Sequence, residues 1–124
     1  MERKEQKCRV IAVANQKGGV SKTTTTMNLG IGLSRAGEKV LMIDMDAQAS
    51  LTVSLGIAEP DKLEETLAAV LTSVMDGEKV EAGFGILTHG EGVDFLPANI
   101  DLAAVEVSLI NVMSREYMLK EYIV

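Results

Sequence analysis

The chain has 124 residues, of which 47% are apolar and 3% aromatic, and it has no tryptophan. This length and composition suit one aliphatic core packed between helices and a sheet, which favours an α/β fold. A single cysteine, Cys8, excludes an intramolecular disulfide and any four-cysteine metal or iron–sulfur site. The charged residues 1–7 lack the apolar stretch of a signal peptide, and no apolar run approaches the roughly 18 residues of a membrane span. We therefore expect a soluble, cytoplasmic protein.

The net charge of −6 is distributed unevenly along the chain. Residues 1–56 hold eight Lys/Arg and five Asp/Glu, a balance of +3, whereas residues 57–124 hold four and thirteen, a balance of −9. The front half is therefore where we expect an anion to bind. The composition gives no support for a large nucleic-acid-binding face on this chain.

The first predicted unit is a strand, a glycine-containing loop and a helix. Residues 9–14 form a β-branched apolar run, which is typical of a strand buried on both faces of a parallel sheet. Residues 15–21 contain the glycines. A helix is predicted over residues 22–35, with Gly37 in its stop position.

A second buried strand is predicted over residues 39–43, and it runs directly into Asp44 and Asp46. The polar residues 47–52 that follow are expected to include a short helical turn. Farther on, Asp61 and Glu64 have the spacing of a capping box, which predicts a helix that begins there and ends before Gly77. Its apolar face would comprise Leu63, Leu67, Val70, Leu71 and Val74.

Two extended segments, 85–88 and 93–96, are separated by the turn residues 90–92, and the second is expected to be a strand of the sheet. His89 is predicted to lie in an exposed turn. A helix should begin at Asp101 with Asn99 as its cap, bend near Ser114 and resume over residues 117–123. The methionines, such as Met27, Met42 and Met113, are interpreted as core residues.

The most specific motif is Lys-Gly-Gly-Val-Ser-Lys-Thr-Thr at residues 17–24, between the first strand and the first helix. Phosphates need several converging donors, which the backbone N–H groups of such a loop and the positive end of a helix supply. Lys22 would contact the β- and γ-phosphates, Thr23 would bind Mg²⁺, and Thr24 would contact the α-phosphate. The predicted phosphate-binding residues are Gly18, Gly19, Val20, Ser21, Lys22, Thr23 and Thr24. The alternative is a polar turn, but two lysines and two threonines at this spacing favour nucleotide binding.

The motif departs from the standard phosphate-binding loop, because Gln16 and Ser21 stand where that pattern has glycine. A lysine directly before two glycines is instead the deviant Walker A pattern KGGxxKT[ST]. Together with residues 39–57 and 94–109, this stretch resembles the ParA/Soj partition ATPases of the MinD/ParA superfamily. Ser21 and Ala47 differ from the glycine and proline usual in that family, and neither change removes a catalytic group.

The resemblance implies catalytic roles for three residues. Lys17 would reach the partner's phosphates across a nucleotide-sandwich dimer, as an arginine finger does. Lys22 would grip the phosphates, and Asp46 would orient the attacking water. Asp44 would support Mg²⁺ through its water shell, at the carboxyl end of a parallel strand. The alternative for Asp44 and Asp46 is a pair of solvated carboxylates or a cap for the next helical turn. Gln48 matches the family but has no assigned role.

The fold that the resemblance implies is α/β, a P-loop NTPase-like parallel sheet flanked by helices, present here as an incomplete N-terminal half. We expect residues 1–124 to form one truncated P-loop ATPase domain. The implied ligands are ATP and Mg²⁺, and the implied activity is ATP hydrolysis in plasmid or chromosome partition. The implied partners are a second copy in an ATP-dependent homodimer, a ParB-like adaptor and non-specific DNA at the nucleoid, with no membrane. The alternative function is a catalytically idle nucleotide-binding or interaction module.

The family's Walker B strand is not found after Pro97 in this sequence. In the family's sheet that strand lies between the strand of the phosphate loop and the strand that ends in the aspartate pair. Residues 10–14 and 40–43 would then lack their shared neighbour, and unpaired backbone groups and apolar surface would be exposed.

We therefore predict that the 124-residue chain alone is marginally stable or aggregates. Thermal melting of the isolated protein followed by circular dichroism measures this directly. A sharp, cooperative transition well above room temperature would contradict the prediction.

Overall fold

The computed structural model describes residues 8–13 and 20–110. In chain order the elements are α1 (Val20–Arg35), β1 (Leu41–Ile43), α2 (Ser50–Ser54), a 3₁₀ turn (Pro60–Lys62), α3 (Leu67–Met75), β2 (Leu87–Thr88), β3 (Asp94–Leu96) and α4 (Asp101–Ile110). None of the helices in these two ranges is long and apolar enough to cross a membrane. The predicted α/β class is confirmed.

The three strands form one sheet in the order β1-β3-β2. β1 pairs with β3 in parallel, with Leu41 opposite Asp94 and Ile43 opposite Leu96. β2 pairs with β3 antiparallel as a hairpin, closed by the 2.8 Å bond from the His89 N–H to the Val93 carbonyl. The sheet is mixed because this hairpin adds an antiparallel strand to the parallel pair.

The second extended segment is confirmed as a strand of the sheet, and so is the turn between the two segments. The first segment is shorter than predicted, because Gly85 lies in a turn with φ +75 and β2 begins only at Leu87. His89 lies beside the turn as predicted, but it is half-buried rather than exposed.

Apolar side chains alternate along the strands and build a core on each face of the sheet. Met42 and Phe95 pack on one side with Leu51, Leu55 and Val93, against α1 and α2 residues including Met27 and Ile31. Ile43 and Leu96 belong to the opposite side, with Leu67, Leu71 and Leu102 of α3 and α4. The sheet is therefore the middle layer between two pairs of helices, and Met27 and Met42 are core residues as predicted.

α1 begins two residues before its predicted start and ends at Arg35 as predicted. Gly37 has φ +93 and follows the last turn, where the Glu38 N–H bonds to the Leu33 carbonyl at 3.0 Å. This is the left-handed stop that favours glycine. Gly30 allows α1 to approach the sheet closely, since a Cβ there would lie 2.6 Å from the Met42 Sδ.

The predicted first strand over residues 9–14 is wrong for the part that the structure describes. Residues 8–13 have no strand structure, and the Val10 and Ile11 side chains are 72% and 61% exposed. Within the described ranges no strand lies on the edge of β1 opposite β3, so this apolar run has no neighbour with which to pair. Residue 14 lies outside the described residues.

The capping box predicted at Asp61 and Glu64 is also wrong. Pro60 starts a 3₁₀ turn, Leu63 is extended, and α3 begins only at Leu67. The Asp61 carboxylate instead accepts a 3.0 Å hydrogen bond from the Ile100 N–H, 39 residues along the chain. The Asp61 side chain is therefore bonded to a distant backbone N–H and does not cap the helix that follows it. Leu67, Val70 and Leu71 of the predicted apolar face are buried, and the helix ends before Gly77 as predicted.

α4 begins as predicted at Asp101, and its Leu102 is buried. Asn99 caps it, because its Oδ1 accepts a 3.1 Å hydrogen bond from the Asp101 N–H. Its Nδ2 donates to the carbonyls of Pro60 and Leu63 at 3.3 and 3.2 Å. The predicted bend at Ser114, the segment 117–123 and the core role of Met113 lie outside the described residues.

We predict that Asn99→Ala lowers the free energy of unfolding by about 2 kcal/mol, because three part-buried hydrogen bonds of the Asn99 side chain are lost. Urea unfolding followed by circular dichroism measures the change. Asn28→Ala on the exposed surface of α1 is the control and should leave the midpoint unchanged or slightly raised. Equal midpoints for the two variants would contradict the prediction.

Candidate functional site

The N-terminus of α1 is the first part of the candidate site. Lys17, Gly18 and Gly19 lie outside the described residues, whereas Val20 and Ser21 are the first two residues of α1. Lys22 is the third. The first turn of this 16-residue helix holds no acidic residue, so the positive end of its dipole is not neutralised there.

Lys22 and Thr23 are half-buried and Thr24 is exposed, all three within the first turn and a half of α1. The described residues form two ion pairs, Arg35 with Glu91 and Lys62 with Glu59, and Lys22 belongs to neither. Its ammonium group is therefore available to an anion. Helix start, backbone N–H groups and lysine together are what a phosphate group requires.

The second part of the candidate site is the turn after β1, which begins at Asp44. The Asp44 side chain is 4% exposed, and both of its carboxylate oxygens are hydrogen-bonded. Oδ2 accepts from the Thr52 N–H at 3.0 Å and from the Thr52 hydroxyl at 2.7 Å, and Oδ1 accepts from the Asp46 N–H at 3.1 Å. A carboxylate offers about four acceptor positions, so one remains on Oδ1.

Asp44 also caps α2 from a distance. The residue at the N-cap position, Ala49, is left-handed with φ 58 and ψ 31 and makes no side-chain cap. Asp44 supplies the missing acceptor, since Thr52 is the third residue of the helix and its N–H is one of those left without an intrahelical partner. The capping role considered for the aspartate pair is therefore present at Asp44.

Asp46 differs from Asp44 because its side chain is exposed. Its Oδ1 accepts from the Gln48 N–H at 2.9 Å, and its backbone carbonyl accepts from the Ala49 N–H at 2.8 Å. Its Oδ2 has no hydrogen-bond partner among the described residues. The structure thus gives the two carboxylates different surroundings, one buried and held, the other open to solvent.

The third part of the candidate site is the turn that follows β3. Because β1 and β3 are parallel, their carboxyl ends meet at one edge of the sheet, where ligands bind in open α/β folds. The Asp44 N–H continues the ladder to the Leu96 carbonyl at 3.1 Å, and the Ala98 N–H donates to the Thr52 Oγ1 at 3.0 Å. The aspartate turn and the residues 97–99 are therefore joined by hydrogen bonds.

Thr52 is the residue that sequence analysis missed. It was placed only within a polar stretch, yet it is fully buried and links Asp44 to Ala98. Its partners are 8 and 46 residues away, so the local sequence does not indicate them.

The structure joins the aspartate turn to the β3–α4 turn, and α1 packs against both β1 and α2, the elements on either side of the aspartate turn. A separate groove of about 380 Å³ is lined by Lys62, Leu63, Glu64, Glu65, Gly85 and Leu87. It contains none of the predicted phosphate-binding or catalytic residues. We therefore assign the candidate site to the carboxyl edge of β1 and β3 together with the start of α1.

Comparison with known proteins identifies relatives of this arrangement. A family model described as an AAA domain matches residues 8–124. The chain is 41% identical over 113 residues to the chromosome partitioning protein ParA of Caulobacter vibrioides, covering 91% of this chain and 40% of that protein. It is 40% identical over 112 residues to the sporulation initiation inhibitor protein Soj of Bacillus subtilis, covering 90% and 42%. The resemblance to ParA/Soj proteins is confirmed, and the chain spans about 40% of the length of these curated relatives.

Among solved structures, the chain is similar to cobyrinic acid a,c-diamide synthase from Mycobacterium smegmatis with bound ATP analog and magnesium. The TM-score is 0.77 and the sequence identity 44%, with 89% of this chain and 43% of that one covered. The predicted P-loop fold is thereby confirmed.

We predict that Asp44→Ala lowers the free energy of unfolding by about 3 kcal/mol, because the two buried Thr52 donors and the part-buried Asp46 N–H lose their charged acceptor. Asp46→Ala, at an exposed position two residues away, is the matched control and should stay close to wild type. Urea unfolding of the three proteins under one buffer condition measures both. A larger loss for Asp46→Ala than for Asp44→Ala would contradict the structural division between the two carboxylates.

Proposed function

The chain belongs to the AAA domain family, and from that premise we propose that it binds and hydrolyses ATP as the phosphate-binding part of a partition-type ATPase. One observation carries the proposal. Lys22, the second lysine of the Lys-Gly-Gly motif, lies in the first turn of a 16-residue helix that has no acidic residue there. Similarity to ParA and Soj proteins over about nine tenths of the chain supports it.

The hydrogen-bond donors at this site suit a nucleoside triphosphate. The backbone N–H groups of residues 18–21 and the Lys22 ammonium group would hold the phosphates, with Lys22 on the β- and γ-phosphates. The Thr24 hydroxyl would contact the α-phosphate. Each of these groups is a donor or a positive charge, and each lies at or directly before the positive end of α1.

The site also suits Mg²⁺ of the kind that accompanies a nucleotide. The described residues contain no cluster of three or more His, Cys, Asp or Glu that could hold a metal ion. Nucleotide-bound Mg²⁺ needs no such cluster, since it takes phosphate oxygens, waters and one or two protein oxygens. Thr23 would supply a direct ligand, and Asp44 would act through water with its remaining Oδ1 position. When bound, Mg²⁺ offsets the charge on the phosphate oxygens.

Two residues would serve the hydrolytic step. The free Oδ2 of the exposed Asp46 would accept a hydrogen bond from the attacking water and orient it. Lys17 would place a second positive charge on the partner's phosphates in a dimer. ATP would then favour dimerisation, because each protomer completes the site of the other.

The biological role that we propose is plasmid or chromosome segregation through an ATP-dependent homodimer, a ParB-like adaptor and non-specific DNA, in the cytoplasm at the nucleoid. It rests on the likeness to a chromosome partitioning protein and to Soj. The whole-protein partners belong to relatives that are more than twice as long as the matched segment.

We predict that Lys22→Ala weakens the binding of ATP and ADP in the presence of Mg²⁺ about 10–100-fold, because a charge-assisted contact to the phosphates is lost. Isothermal titration calorimetry measures the dissociation constants. Lys39→Ala removes an exposed lysine just before β1 and is the matched control, with affinity unchanged. Equal affinities for wild type and Lys22→Ala would contradict the proposed role of the loop.

Phosphate release from the same proteins separates the two candidate functions. Turnover by the wild type that Lys22→Ala abolishes supports an ATPase. Nucleotide binding without turnover supports the idle nucleotide-binding module instead.

A further inference from the structure

The hydroxyl group of Thr52 is fully buried and makes two hydrogen bonds of defined direction. It accepts from the Ala98 N–H at 3.0 Å and donates to the Asp44 Oδ2 at 2.7 Å. A backbone N–H can only donate and an ionised carboxylate can only accept, so the single hydroxyl proton must point at Asp44. The shorter bond is the charge-assisted one.

The two hydrogen bonds that run from Ala98 through the Thr52 hydroxyl to Asp44 form a relay, and this relay constrains more than one side chain. Through its other oxygen Asp44 accepts from the Asp46 N–H, and Asp46 in turn accepts from the N–H groups of Gln48 and Ala49. The orientation of the Asp44 carboxylate therefore determines where the turn that carries Asp46 lies. Without the hydroxyl, that carboxylate would keep only the Thr52 N–H as an anchor beyond the turn itself.

The residues at the far end of these hydrogen bonds are buried and hydrogen-bonded in turn. Ala98 is fully buried, and the neighbouring Asn99 is held by its bonds to the carbonyls of Pro60 and Leu63. The relay thus ties an exposed carboxylate on one turn to a second turn that is fixed by the packing of α3 and α4.

We infer that Thr52 is a positioning residue of the nucleotide site, whose hydroxyl locks Asp44 onto the β3–α4 turn and so holds Asp46 at the carboxyl edge of the sheet. The inference rests on the proposed function for the part that concerns the nucleotide. The positioning of the turn itself stands on the hydrogen bonds alone.

Two substitutions at this position separate the hydroxyl from the shape of the side chain. Thr52→Val keeps the branched shape and removes the hydroxyl, whereas Thr52→Ser keeps the hydroxyl and removes the methyl group. Thr72→Val changes an exposed threonine of α3 and is the matched control. All are made in the full 124-residue chain.

The first readout is amide hydrogen exchange of Asp46 and Ala49 measured by NMR. We expect exchange about tenfold faster at both amides in Thr52→Val, with Thr52→Ser and Thr72→Val near wild type. Unchanged exchange in a folded Thr52→Val overturns the inference. Should that variant not fold, Thr52→Ala takes its place, since it also removes the hydroxyl and leaves Asp44, the acceptor of the Asp46 N–H, unchanged. Faster exchange at Asp46 is again the expected result and unchanged exchange the contrary one.

The second readout is ADP affinity with and without Mg²⁺. We expect Thr52→Val to bind ADP normally without Mg²⁺ but to lose about 10–100-fold of the Mg²⁺-dependent affinity, with rescue by Thr52→Ser. A purely structural role would weaken both affinities together or neither, and either result overturns the assignment to the site. If the wild type binds no ADP, the proposed function fails, and hydrogen exchange still decides whether Thr52 positions the turn.

Discussion

A buried carboxylate organises the edge of the sheet on which the candidate site depends. Taking the charge of Asp44 out of water is costly unless donors replace the solvent. Three donors do so, from Asp46 and Thr52, and through Thr52 the next turn is included. The parallel pairing of β1 with β3 makes this possible, because it brings the ends of both strands to the same edge. The turn that carries the exposed Asp46 is thereby hydrogen-bonded to the buried Asp44.

The sequence predicted well those features that depend on neighbours in the chain. The helix over residues 22–35, its stop at Gly37, the end of α3 before Gly77 and the hairpin around residues 90–92 all follow from short-range backbone chemistry. Features that depend on distant partners were predicted poorly. The Asp61 carboxylate accepts a hydrogen bond from the Ile100 N–H rather than capping the following helix. The Thr52 hydroxyl can accept from the Ala98 N–H only because β3 pairs with β1 and brings residue 98 close to residue 52.

The apolar run at residues 9–13 shows the same limit in another form. Its composition predicts a buried strand, but a strand exists only when a neighbour accepts and donates its hydrogen bonds. Without one among the described residues, Val10 and Ile11 are exposed, as is Leu41 on β1 at 39%. Residues 17–19 of the phosphate-binding motif lie outside the described residues, so the roles of Lys17, Gly18 and Gly19 remain predictions from the sequence.

The chain is similar to proteins that have different activities, so the shared fold alone does not indicate which activity this chain has. The relatives include a chromosome partitioning protein and a cobyrinic acid a,c-diamide synthase crystallised with an ATP analog and magnesium. One fold supports many functions. Partition as the biological role is therefore a more specific proposal than nucleotide binding.

The central claim is that the start of α1 and the aspartate turn bind one Mg²⁺–nucleotide. Amide chemical shifts of the isotopically labelled chain, recorded while ADP and Mg²⁺ are added, test it most directly. We expect saturable shifts at residues 16–24, together with shifts at Asp44 and Asp46 that require Mg²⁺. Absence of shifts, or shifts confined to the separate groove lined by residues 62–65, 85 and 87, would contradict it.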